Sequence, residues 1–215
     1  MLRYVSTRNL ARAERERLCA LALELGADAP TLCGDWTVKD LLAHLLVRER
    51  DPIGATGIWM PGLGRVTEWA MDRTARGDFD VLVEKVRSPG LSPVNIPLVD
   101  KAFNTLEFYI HHEDIRRAQP TWEPRELTSS EQSQIWAALK MMGRGLVRNA
   151  GVPLTMHRTD KDKEFVLRGG KEPVTVSGLP SEVALFVYGR PHHVGVTLDG
   201  PEDSIATLES SSLGL

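Results

Sequence analysis

Phe103–Ala118 reads FNTLEFYIHHEDIRRA, and the rest of the chain is interpreted around it. Glu107 and His111 stand four residues apart with no helix breaker between them. On an α-helix that spacing puts both side chains on one face, one turn apart. A carboxylate and an imidazole so placed can hold two corners of a site for a zinc-like divalent ion. Asp114, three residues past His111, returns to the same face. A third ligand must come from another helix, and His44 in DLLAHLLVRER is the best candidate. Two imidazoles and one carboxylate leave a fourth position open on a tetrahedral ion, as a catalytic site requires. The competing reading of Glu107 and His111 is an ordinary i,i+4 ion pair, and that of His44 is a satisfied core histidine.

Working outward, the spacing predicts a helix over roughly Leu98–Ala118, with Ala102, Phe103, Leu106, Tyr109, Ile110 and Ile115 as apolar positions and Pro120 and Pro124 ending it. Upstream, residues 7–25 form an amphipathic pattern: Leu10, Leu18, Leu21 and Leu25 on the apolar side, Arg12, Glu14, Arg15 and Glu16 on the wet one. A second helix starts at the N-cap Thr37, with Asp40 closing a capping-box arrangement, and runs to about Arg50. Residues 52–95 hold two short helices, RVTEWAMDRTA and FDVLVEKVR, and the segment SPGLSPVNIP is expected as a returning loop. Downstream, TSSEQ opens a helix that runs to about Asn149. Four substantial helices with a long middle connection make a four-helix bundle over residues 1–150.

After Gly151 the texture changes. VPLTMHR, EFVLR and PVTVS are short, rich in β-branched residues and separated by turn-prone segments. LPSEVALFVYGR reads as one short helix capped through Ser181, HVGVTLDG as a strand, and the end as a weakly patterned tail. The expected class is therefore mainly α plus a small α+β domain over residues 151–215.

The 215 residues carry 42% hydrophobic and 26% charged side chains, as a soluble globular chain does. With 26 Lys+Arg against 29 Asp+Glu, the net charge of −3 gives no support to a nucleic-acid partner. No apolar run approaches the roughly 20 residues of a membrane span, and the charged N-terminal stretch does not read as a signal peptide. Cys19 and Cys33 show no CxxC spacing, and each is expected as a small buried or half-buried hydrophobe. We expect a cytoplasmic, reduced protein, a monomer or homodimer. The sequence contains no GxSxG, Walker or GxGxxG motif. Trp36, Trp59 and Trp69 are read as core and loop contacts rather than base-stacking platforms. Asp114 and Asp40 suit hydrogen bonds to the second nitrogen of a ligating histidine, although capping explains Asp40 equally well. His112 points about 100° from His111 and is assigned to solvent or a helix–helix hydrogen bond. His192 and His193 receive no role.

LCGDWTVKDLLAHLLVRE and LEFYIHHEDIRRA together resemble the actinobacterial mycothiol-dependent maleylpyruvate isomerase family, whose DinB-like metal-binding bundle precedes a small sterol-carrier-like domain. The resemblance implies His44, Glu107 and His111 as ligands of zinc or another divalent metal, and mycothiol as co-substrate. It also implies, through the GR of FVYGRP, Arg190 as a residue of the thiol-binding cleft. A metal-activated thiol is a nucleophile at neutral pH. The expected function is a zinc-dependent, mycothiol-using S-transferase or isomerase acting on a small electrophile. The alternative is a non-enzymatic protein whose metal is structural or whose small domain binds a ligand. Metal-assisted hydrolysis, which needs no thiol, is a third reading.

Overall fold

The computed structural model describes residues 9–60, 62–88 and 97–214. The described residues divide into two compact units, one made of those between Ala11 and Pro97 with Glu107–Glu123, the other of residues 9–10 with Leu98–Leu106 and residues 124–214. The architecture is mainly α with a small sheet, the class expected from the sequence.

In the unit that holds Glu107, α1 (Leu10–Leu25), α2 (Val38–Arg50), α4 (Gly64–Ala75), α5 (Phe79–Arg87) and the latter part of α6 (Pro97–Arg117) follow in order, with a short α3 (Thr56–Trp59) after α2. The capping box of α2 forms as predicted. Asp40 Oδ2 accepts from the Thr37 amide at 3.0 Å, and Thr37 Oγ1 accepts from the Asp40 amide. Asp78 caps α5 by accepting from the Val81 amide. One core joins these helices: Leu18, Cys19 and Ala22 of α1, Val38, Leu41, Leu42 and Leu45 of α2, Leu82, Val83 and Val86 of α5, and Phe108 and Ile115 of α6. Each buried Leu or Phe contributes about 1.5–3 kcal/mol through removal from water.

The wet face expected on α1 is partly inside. Glu14 and Arg15 are buried because each has a partner: Glu14 accepts from His112, and Arg15 pairs with Glu49 and lies 4.0 Å over the Phe108 ring. Phe108, outside the predicted apolar stripe of α6, is also buried. From Thr105 to Ile115 every side chain of this helix is buried, so no single stripe exists to read. Trp36 packs beside Val47, Ala70 and Met71, but Trp69 is 61% exposed under Arg73 rather than in the core. The segment SPGLSPVNIP lies, apart from its first and last residues, outside the described residues.

The other unit contains α7 (Ser129–Leu146), which starts at a Thr128–Glu131 capping box, and a four-stranded sheet. The strands are β1 (Leu154–Arg158), β2 (Lys163–Arg168), β3 (Val174–Gly178) and β4 (Thr197–Asp199), in the order β2-β1-β3-β4. β1 pairs antiparallel with β2 and parallel with β3, and β3 antiparallel with β4. Leu154, Met156, Val174 and Val176 are buried, as alternation on a covered sheet face requires. α7 packs on β2 and on α8 (Pro180–Val187), which also contacts β1 and β3. Ser181 does not cap α8. Leu179 is the N-cap, and Ser181 instead bonds Gln132 of α7 twice, its hydroxyl accepting and its amide donating. The expected tail contains a helix, α9 (Glu202–Glu209), whose first turn carries Glu202 and Asp203 at the positive end of the helix dipole.

Candidate metal centre

α2 and α6 bring together the three residues singled out from the sequence. His44 Nε2 and His111 Nε2 each lie 3.2 Å from the same atom, Glu107 Oε1. One donor atom from each of the three residues falls within 4.8 Å of the others, and all three side chains are buried. The helical repeat places Glu107 and His111 on one face, and the capping box at Thr37 sets where α2 begins, and so where His44 points. The His44 ring is held between Trp36, at 5.1 Å between centroids, and His111, at 5.2 Å.

Charge is distributed unequally over the cluster. Burial opposes ionisation of Glu107, but the charges of Arg48 and His111 and hydrogen bonds from both histidines outweigh it, holding the carboxyl well below its usual range. Burial likewise opposes charge on His111, yet the Glu107 carboxylate and a hydrogen bond to Asp114 raise its pKa well above 6.5. For His44, burial wins over Glu107 and lowers the pKa. One histidine is thereby pushed towards the cation and the other towards the neutral ring.

The residues fit a divalent ion. In a tetrahedral site with bonds of about 2.0–2.1 Å, neighbouring nitrogen and oxygen ligands are separated by about 3.3 Å, close to the 3.2 Å seen twice here. Asp114 Oδ2 lies 3.0 Å from His111 Nδ1. By accepting that proton it leaves Nε2, the nitrogen facing Glu107, to present its lone pair. His44 Nδ1 is buried and has no hydrogen-bond partner among the described residues.

Asp40 serves the α2 cap. His112 makes the helix–helix alternative, donating from Nδ1 to Glu14 at 2.7 Å. Arg190, in the unit with the sheet, lines a cavity of about 630 Å³ with Phe186, His193, Leu198, Ile205 and Leu208. Its Nη1 donates to the Tyr188 carbonyl at 3.0 Å. The Phe186 and His193 rings meet edge-on at 5.4 Å.

Two neighbours of the site did not emerge from the sequence. Arg48, one turn after His44, sits 3.5 Å from Glu107 Oε1, and the i,i+4 spacing was a signal available for it. Cys33 donates to Asp114 Oδ2 at 3.1 Å, and no local pattern announces this. Its loop is folded back by the Leu32 amide donating to the Asp114 carbonyl, by a Pro30–Thr37 bridge and by the Thr31 hydroxyl, which accepts from the Cys33 amide. Cys19 is a different thiol. Burial pushes its pKa up to about 12, so it is a core side chain.

Comparison with known proteins supports the resemblance read from the two motifs. Residues 9–88 match the family model described as the mycothiol maleylpyruvate isomerase N-terminal domain. A crystal structure of the mycothiol-dependent maleylpyruvate isomerase superposes with a TM-score of 0.59 over 88% of this chain and 90% of that one, at 16% identity. A histidine-to-alanine mutant of that isomerase gives 0.58 over the same shares, also at 16% identity. At that identity the likeness establishes the fold. No curated protein matches the sequence at a significant level.

Proposed function

We propose, from the family match of residues 9–88 and the shared fold, that the chain is a metal-dependent enzyme using mycothiol to transfer to, or isomerise, a small electrophile. The observation that carries the reading is the convergence of His44 Nε2, His111 Nε2 and Glu107 Oε1, two neutral-capable imidazoles and one carboxylate. That donor set suits zinc and leaves room for an exogenous ligand. A divalent ion held by His44, Glu107 and His111 would supply a Lewis acid that favours the thiolate form of a bound thiol.

The chain's own groups do the rest. Asp114 holds the Nδ1 proton of His111 and fixes its tautomer. Arg48 neutralises part of the Glu107 charge, and Phe108 and the leucines of α2 are packed in the buried core that the two ligand-bearing helices share. Arg190 is proposed as the thiol-contacting residue of the α+β unit, a role supported by its place in the wall of a cavity lined by both charged and apolar side chains, Glu209, Phe186 and Leu208 among them. A thiol activated in this way would add to an electrophilic alkene, with a proton returning to the adjacent carbon, would displace a leaving group that departs with the electron pair of its broken bond, or would add reversibly, the C–S bond breaking again after rotation about the former double bond.

Consumption of maleylpyruvate and of model electrophiles, with and without mycothiol and before and after chelation, tests the reading. Thiol-dependent turnover lost on chelation and restored by zinc is expected. Turnover indifferent to the thiol would leave metal-assisted hydrolysis, and turnover indifferent to the metal would remove the ion from the chemistry. The burial of all three donors favours a second reading, a structural ion, which predicts instead that the chelated chain loses its fold.

A further inference from the structure

His111 presents donors on both edges of its ring, and the second edge faces a donor set of its own. Nδ1 lies 3.0 Å from Asp114 Oδ2 and 3.7 Å from Cys33 Sγ, and Cys33 Sγ lies 3.1 Å from the same Asp114 oxygen. In a tetrahedral zinc site these edges are about 3.3 Å for nitrogen to oxygen and about 3.5 Å where sulfur takes part. All three observed separations are within about 0.4 Å of those values, so a small movement closes them on one ion. Asp114 is fully buried and Cys33 half-buried, which makes the sulfur the ligand nearest to solvent.

We propose that Cys33, Asp114 and His111 Nδ1 form a second, thiolate-bearing seat for a soft divalent cation, exclusive of the first because both use His111. A neutral imidazole has one lone pair and one N–H. With the ion at Nε2, the Nδ1 proton goes to Asp114. With the ion at Nδ1, the Nε2 proton goes to Glu107, 3.2 Å away. Each carboxylate is therefore a ligand in one seat and a proton acceptor in the other. Occupying the second seat forms a sulfur–metal bond, and the displaced thiol proton leaves to solvent. Thiolate selects zinc, cadmium or cobalt over magnesium or manganese. The proposal stands whether or not the first seat is catalytic.

Cobalt(II) added to the His44→Ala full-length chain reads the second seat directly, through the near-ultraviolet sulfur-to-cobalt charge-transfer band. The band is expected in His44→Ala and lost in His44→Ala/Cys33→Ser. Glu107→Gln is the parallel variant should His44→Ala not fold, and circular dichroism reports folding in each case. A folded variant that takes up cobalt without the thiolate band, or takes up none, overturns the proposal. Cys33→Ser alone leaves His44, Glu107 and His111 in place, so its cobalt binding reports on the first seat separately.

Discussion

His111 and His44 share the Glu107 carboxylate but are pushed in opposite directions, and this makes the site's response to pH specific. The folded pKa of His111 is raised above 6.5. Its pairing with Glu107 and Asp114 therefore stabilises the chelated protein fully below pH 6.5, and that contribution is lost as pH rises through the raised value. Glu107 behaves oppositely. Its contribution is present above its ordinary 4.5 and is lost as pH falls through its depressed value. Urea unfolding of the wild type and His111→Gln, both with chelator, checks the first point: the wild-type advantage should shrink above pH 6.5. A constant difference would contradict it. Ligation takes the unprotonated ring, so metal affinity is expected to rise over the same window. Asp114→Asn, which weakens the hold on the Nδ1 proton, is expected to lower metal affinity about 10–100-fold while leaving the chain folded, as competition with a chromophoric chelator would show. The histidine–carboxylate spacing was legible because the helical repeat is local. Cys33 was not, because its position depends on the hydrogen bond from Leu32 to Asp114 across the fold.

At the scale of the elements, α2 orients the site through its cap. Thr37→Ala removes one side of the capping box and is expected to cost about 0.5–2 kcal/mol in unfolding free energy. Phe108→Ala, in the core beside Arg15, is expected to cost about 3–5 kcal/mol. Gly57 is sterically required. A Cβ there would collide with the Leu63 carbonyl, so Gly57→Ala is expected to lower the midpoint of thermal unfolding by displacing α3 from α4. The starts of α2 and α7 could be read from T-x-x-D and T-x-x-E because a capping box lies within four residues. α9 could not. PEDSIATLE has few large apolar residues, and only Leu208 of this helix is buried. The role of Ser181 depends on Gln132, 49 residues away, and no capping rule reaches that far.

At the scale of the whole molecule, the change of texture after Gly151 records a switch in hydrophobic period, whereas packing follows contacts. α7 precedes that switch in sequence, but its partners are α8 and β2. Residues 151–215 expressed alone lack the α7 face bearing Ile135 and Leu139, and poor amide dispersion in NMR is expected for that fragment. A well-dispersed spectrum would show that the strands and short helices suffice. Among the described residues no helix is long and apolar enough to cross a membrane.

Elemental mass spectrometry of the protein purified without chelator or histidine tag, beside His44→Ala and His111→Ala, decides whether these residues hold a metal. Zinc close to one ion per chain is expected in the wild type. At the zinc concentration carried through purification, a reduced content is expected in His44→Ala, where only the thiolate seat is left, and none in His111→Ala, where both seats are broken. A wild type that holds no metal after reconstitution, or a His111→Ala variant that holds as much as wild type, would contradict this.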